Sequence, residues 1–172
     1  MAVKKKIGVV PLTIIVVVVV IAAVLVYGFV INQPHFGFPT TSQMNSDTGK
    51  SYSQGNNTQS SSNSSLTGAV SFEGMTYHSS SGGIIVDEVE YSNTSAATNV
   101  YLSFREYGFF AGVTANVSYK SFTYSTVNIG FSETTYGVDG KYVFLIISTG
   151  LTSSQQNLVV QTVIDSMTNF SL

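Results

Sequence analysis

Three carboxylates stand almost side by side in "VDEVEY", at Asp87, Glu88 and Glu90. On a strand Glu88 and Glu90 share one face while Asp87 points to the other, so two acids could hold a hard cation such as Ca²⁺ if further oxygens came from elsewhere. The alternative is a charged solvent face that discourages edge-to-edge pairing. Two histidines are present, His35 and His78. His78 precedes Ser79, Ser80 and Ser81, so a serine hydrolase would use His78 as base, one of these serines as nucleophile and Asp87 or Asp139 as orienter. Adjacent residues seldom converge in that way, and no G-x-S-x-G turn occurs. There is no cysteine, which excludes disulfides and thiolate chemistry. No catalytic residue and no cofactor is expected.

Charge narrows the partners. Beyond residue 31 the chain has four basic residues (Lys50, Arg105, Lys120, Lys141) against nine acidic ones, a net of −5. With no basic patch to neutralise phosphates, nucleic acid is not a partner. Only 9% of the chain is charged, so the surface consists largely of Ser, Thr, Asn, Gln and Tyr. Such a surface loses few ion pairs when carboxylates protonate, which fits an acidic medium. Tyrosines at 77, 91, 101, 107, 119, 124, 136 and 142 could form a carbohydrate-stacking surface, but most occupy core or cross-strand positions where aromatics are ordinary. Asn56, Asn63, Asn93, Asn116 and Asn169 each open an N-x-Ser/Thr sequon, a glycosylation acceptor if exposed outside the cell.

The elements that must position these residues begin with "KKKIGVVPLTIIVVVVVIAAVLVYGFVI". Residues 7–31 carry no charge, and 25 positions make a helix of roughly 37 Å, enough to span a bilayer core of ~30 Å. Lys4, Lys5 and Lys6 precede the run, which predicts a cytoplasmic N-terminus of residues 1–6 and an extracytoplasmic remainder. The run is longer than the apolar region of a cleaved signal. A pilin-like leader, which would leave residues 7–31 as the core helix of a fibre, is the principal alternative, although Ile7 separates Lys6 from Gly8. A membrane-tethered hydrolase is the third reading. Residues 32–67 combine a collar, "NQPHFGFP", with a Ser/Thr/Asn-rich stretch from Pro39 to Thr67 that reads as a disordered stalk.

Residues 68–172 regain apolar periodicity and have the length of one domain. "AVSFEGMTY" and "GIIVDEVEY" predict a strand pair. "TSAATNVYLSFREY" (94–107) predicts a helix capped by Ser92, Asn93 or Thr94. "VSYKSFTY", "TVNIGFSETTYG" and "KYVFLIIST" predict three more strands, the last buried on both faces, with Asp139-Gly140 favouring a tight turn before it. The closing stretch predicts a helix with Ser153 and Gln156 in capping-box spacing and Leu158, Val159, Thr162, Val163, Ser166, Met167 and Phe170 on one face. The expectation is an α+β fold, a mainly antiparallel five-stranded sheet with two helices, on a single-pass protein at the cell surface. Its partners would be the lipid bilayer through residues 7–31 and another membrane or surface protein.

Overall fold

The computed structural model describes residues 37–55, 58–60, 68–106 and 116–170, within one compact unit that runs from His35 to Leu172. The apolar run 7–31, the collar residue His35, Tyr107, Asn56 and Asn63 lie outside the described residues. Among those that are described, no helix is long and apolar enough to cross a membrane.

Helix α1 (Thr41–Thr48) comes first, followed by β1 (Ser53–Gln54), β2 (Thr58–Ser60), β3 (Ala69–Ser79) and β4 (Gly82–Tyr91). Helix α2 (Thr94–Glu106) leads to a meander of β5 (Val117–Tyr119), β6 (Phe122–Ile129), β7 (Ser132–Asp139) and β8 (Tyr142–Thr149), and α3 (Ser153–Phe170) closes the chain. The strands form one antiparallel sheet in the order β1-β3-β4-β8-β7-β6-β5, and β2 also pairs with β3. The fold is therefore α+β as expected, but the described sheet has seven lateral positions instead of five, and three helices instead of two.

Local chemistry accounts for the extra elements. "VSYKSFTY" is a hairpin, because Lys120 adopts a φ of 52° and turns the chain between Tyr119 and Phe122. "TVNIGFSETTYG" is a second hairpin, turned at Gly130 with a φ of 62° so that Ile129 faces Ser132. The tight turn expected at Asp139-Gly140 is present, with Asp139 opposite Tyr142. Within the stretch read as a stalk, Thr40 and Gln43 build a capping box and Gly49 ends α1 in the left-handed conformation. Polar composition hid that helix. Its one large apolar residue, Met44, is fully buried, and Asp47 accepts a 2.5 Å hydrogen bond from Thr162 of α3.

The sheet is covered on both faces. Met44, Tyr77, Ile84, Val86, Phe144, Ile146 and the α3 residues Val159, Val160, Val163, Ile164 and Met167 make the larger core. Val89, Tyr91, Val143 and Ala97 of α2 make the smaller one. The buried face of α3 is turned by about one residue from the expected face: Val160 and Ile164 are buried and Leu158 is exposed. Its capping box is displaced likewise. Thr152 caps it with Gln155, and Gln156 is buried, accepting from Ser148 Oγ at 2.5 Å and donating to Thr135 Oγ1 at 3.2 Å. Asn93 is the residue that caps α2, accepting from Ala96 N at 2.9 Å. Strand β8 is central, as its composition required, with Phe144 and Ile146 fully buried and Leu145 and Ile147 half-buried on the other face.

Met44→Ala tests whether α1 belongs to the domain. Emptying a buried site costs about 2–5 kcal/mol, and denaturant unfolding should show a loss in that range, whereas the same change in a solvated stalk would leave the midpoint unmoved.

Candidate functional site

The carboxylates of β4 are separated by the pleat, and one of them acquires a partner from β3. Glu88 stands directly opposite Glu73, and on its other side opposite Phe144 of β8. Directly opposed residues have Cβ atoms about 4.5–5.5 Å apart, and here both are acids: Glu73 is 4% and Glu88 0% exposed. Neither carboxylate oxygen of Glu88 has a hydrogen-bond partner among the described residues. The rest of this face is the larger core, with Tyr77, Val86, Phe144 and the aliphatic side of α3.

No described cation bonds to Glu88. Lys141 bonds to Glu90, Lys120 pairs with Asp165 at 2.7 Å, and Lys50 donates to the carbonyl of Gly150. Arg105 is exposed on α2, across the sheet. An ionised carboxylate in such surroundings is costly enough that the group takes up a proton instead. Burial first, and then the neighbouring charge of Glu73, hold the Glu88 carboxyl well above the usual carboxylate range. Tyr77, whose hydroxyl donates to the carbonyl of Pro39 at 2.6 Å, is pushed up by burial and by Glu88. The arrangement is a closed proton site.

Asp87 lies on the opposite face, beside Gly74, where burial raises its carboxyl too. Glu90 shares the face of Glu88, as the alternation requires, but it is engaged by Lys141 and Ser71. The three acids thus do not converge on one point, and no group of three or more acids or histidines that could hold a metal gathers among the described residues. His78 is exposed at the end of β3, Asp87 faces Gly74 four residues back along that strand, and Asp139 accepts from Ser121 near the β7–β8 turn. These residues are not assembled around a common point. Asn116 accepts from Tyr101 and Ser125 through its amide oxygen at 3.1 and 2.9 Å, Asn93 caps α2, and Asn169 is exposed in the last turn of α3. Most of the tyrosines are packed inward: 77, 91, 101, 124 and 136 are buried.

Sequence reasoning passed over Glu73. The signal was present, because Glu73 and Glu88 stand at equal steps from the Ser80-Ser81 turn and a two-residue hairpin sets them opposite each other.

A concave feature opens at the end of the sheet that carries the β6–β7 turn. It measures about 300 Å³ and is lined by Asn128, Phe131, Glu133, Ser148 and Leu151 among others. Asn128 on β6 is opposite Glu133 on β7, which is opposite Ser148 on β8, so an amide, a carboxyl and a hydroxyl form one lateral row.

The proton held by Glu88 sets a sign for pH dependence. A carboxyl raised in the folded state contributes stability that is complete below its unfolded value and is lost as pH rises through the folded one. Unfolding by urea, from about pH 4 to about pH 8, should therefore show stability falling with pH, by up to about 1.4 kcal/mol per unit for each proton retained. Glu88→Gln, which cannot ionise, should flatten that slope and make the variant more stable than the parent at the alkaline end. An unchanged slope would mean that Glu88 is not the group that titrates.

No family model matches the chain, nor does any curated protein. Among solved structures, it is similar to the extracellular domain of PknH from Mycobacterium tuberculosis, with a TM-score of 0.52 and 13% identity over 75% of this chain and 92% of that one. A GTP binding regulator from Thermotoga maritima matches with a TM-score of 0.46 and 7% identity, over 78% of this chain and 96% of that one. At these identities the first likeness is one of fold alone.

Proposed function

We propose that the chain is a single-pass surface protein, anchored by residues 7–31, whose α+β domain acts outside the membrane by binding or by association and performs no catalysis of its own. The observation that carries this reading is the charge-free run of 25 residues, preceded by Lys4, Lys5 and Lys6 and followed at His35 by a compact unit with its own core. The likeness of that unit to a domain that is extracellular in its own protein supports the location. The low charge of the surface and the proton held at Glu88 suit an acidic exterior, where surface ion pairs weaken and a buried acid remains neutral.

The natural absence of cysteine provides a clean test of topology. Asn169→Cys in the exposed end of α3 should react with a membrane-impermeant maleimide on intact cells, while Ala2→Cys should react only after lysis. The opposite pattern would overturn the orientation. Intact mass decides the fate of the run: a chain starting at Met1 or Ala2 supports the anchor, whereas a start at Val9 would replace it with the fibre reading.

A further inference from the structure

In the row Asn128–Glu133–Ser148 an amide and a carboxyl stand in front of a buried hydroxyl. Neither the amide of Asn128 nor the carboxyl of Glu133 has a partner among the described residues, although both line a concave site with room for a small molecule. Ser148 is buried behind them and is held in place by Gln156. Above the row, at the tip of the β6–β7 hairpin, Phe131 is 100% exposed. At the rim of the hollow its ring face is open to a ligand.

We infer that this hollow binds one unit of a neutral carbohydrate, an inference that rests on the binding role proposed above. A sugar ring presents an apolar C–H face, whose partial positive charge suits the negative face of an aromatic ring, and an edge of hydroxyls that donate and accept. Phe131 meets the first requirement. The amide of Asn128 donates and accepts, and Glu133 accepts or, when protonated, also donates. Burial pushes the Glu133 carboxyl up, so its charge is easily discharged in an acidic medium. Lys50 bonds to the carbonyl of Gly150, which lines the hollow, so a cation stands near the carboxyl and the surroundings are not a one-signed field that would select an ion. Its volume of about 300 Å³ lies at the small end of ligand sites, which run roughly 300–1,000 Å³, and suits a single ring better than a longer ligand.

Saturation-transfer NMR on the full chain, held in a detergent without a sugar head group, tests this with D-glucose, D-mannose and N-acetyl-D-glucosamine as probes. At least one should receive saturation on its ring protons, and Phe131→Ala and Asn128→Ala should each weaken that binding by about tenfold or more, while Leu158→Ala on the outer face of α3 leaves it unchanged. Phe131 is fully exposed, so its removal does not threaten the fold, and circular dichroism verifies this. Absence of transfer to all three sugars, or transfer indifferent to Phe131 and Asn128, overturns the inference. Transfer instead to tetramethylammonium, lost in Phe131→Ala and Glu133→Gln, overturns it in favour of a cation site. Because maleimide labelling reads topology without any ligand, failure of the sugar site and failure of the tethered reading are told apart.

Discussion

The structure depends on the pairing of β4 with β8. Those two strands run side by side from Ile84 opposite Ser148 to Glu90 opposite Tyr142, and they join a hairpin, β3–β4, to a meander, β5–β8, that the chain reaches only after passing through α2. Without that ladder β4 and β8 would each be an edge strand with unpaired hydrogen-bonding groups. With it, β4 and β8 become interior strands, and each face offers enough apolar surface for helices to cover: α1 and α3 on one side, α2 on the other. The closeness of the strands also leads β7 to leave space for its neighbour, since a side chain at Gly137 would place its Cβ 2.5 Å from the ring of Phe144.

That pairing also determines the chemistry of Glu88. On an edge strand, a glutamate beside another glutamate would extend into water and both would ionise. Phe144 of β8 stands opposite Glu88 on one side and Glu73 on the other, and α3 lies over the same core, so the acid is buried in an apolar cluster beside a second acid. A polypeptide tolerates this because a carboxyl has a neutral form. In a chain with only 9% charged residues, a buried neutral carboxyl and a surface rich in hydroxyls and amides leave few ion pairs for acid to break.

Function is carried by sites, and the fold's likeness to a known extracellular domain leaves that question to the residues themselves. The two places with unusual physical chemistry are on the same face of the sheet but differ in access. The Glu73–Glu88 pair is buried away from water. The Asn128–Glu133–Ser148 row opens at the hairpin end, beneath an exposed ring, and can receive a molecule.

Much of the architecture is written in the local sequence. Alternation in "GIIVDEVEY" and "KYVFLIIST", helical spacing in 94–106 and in the closing helix, and the turn chemistry of Asp139-Gly140 all express local geometry, and local geometry is what short stretches of sequence encode. What needed the tertiary structure was lateral order. Nothing within β4 names β8 as its partner, and only that choice buries Glu88. Nothing in the polar stretch around Met44 shows that α3 will cover it, because one methionine among polar residues carries little periodic signal. The turn at Gly130, hidden inside an apparently continuous strand, decided that Asn128 and Glu133 face each other and that Phe131 stands at a tip. Side-chain periodicity is a property of the chain taken alone, whereas the neighbours across a sheet follow from contacts distant in sequence, so the sequence determined the elements and the tertiary structure decided which acids meet.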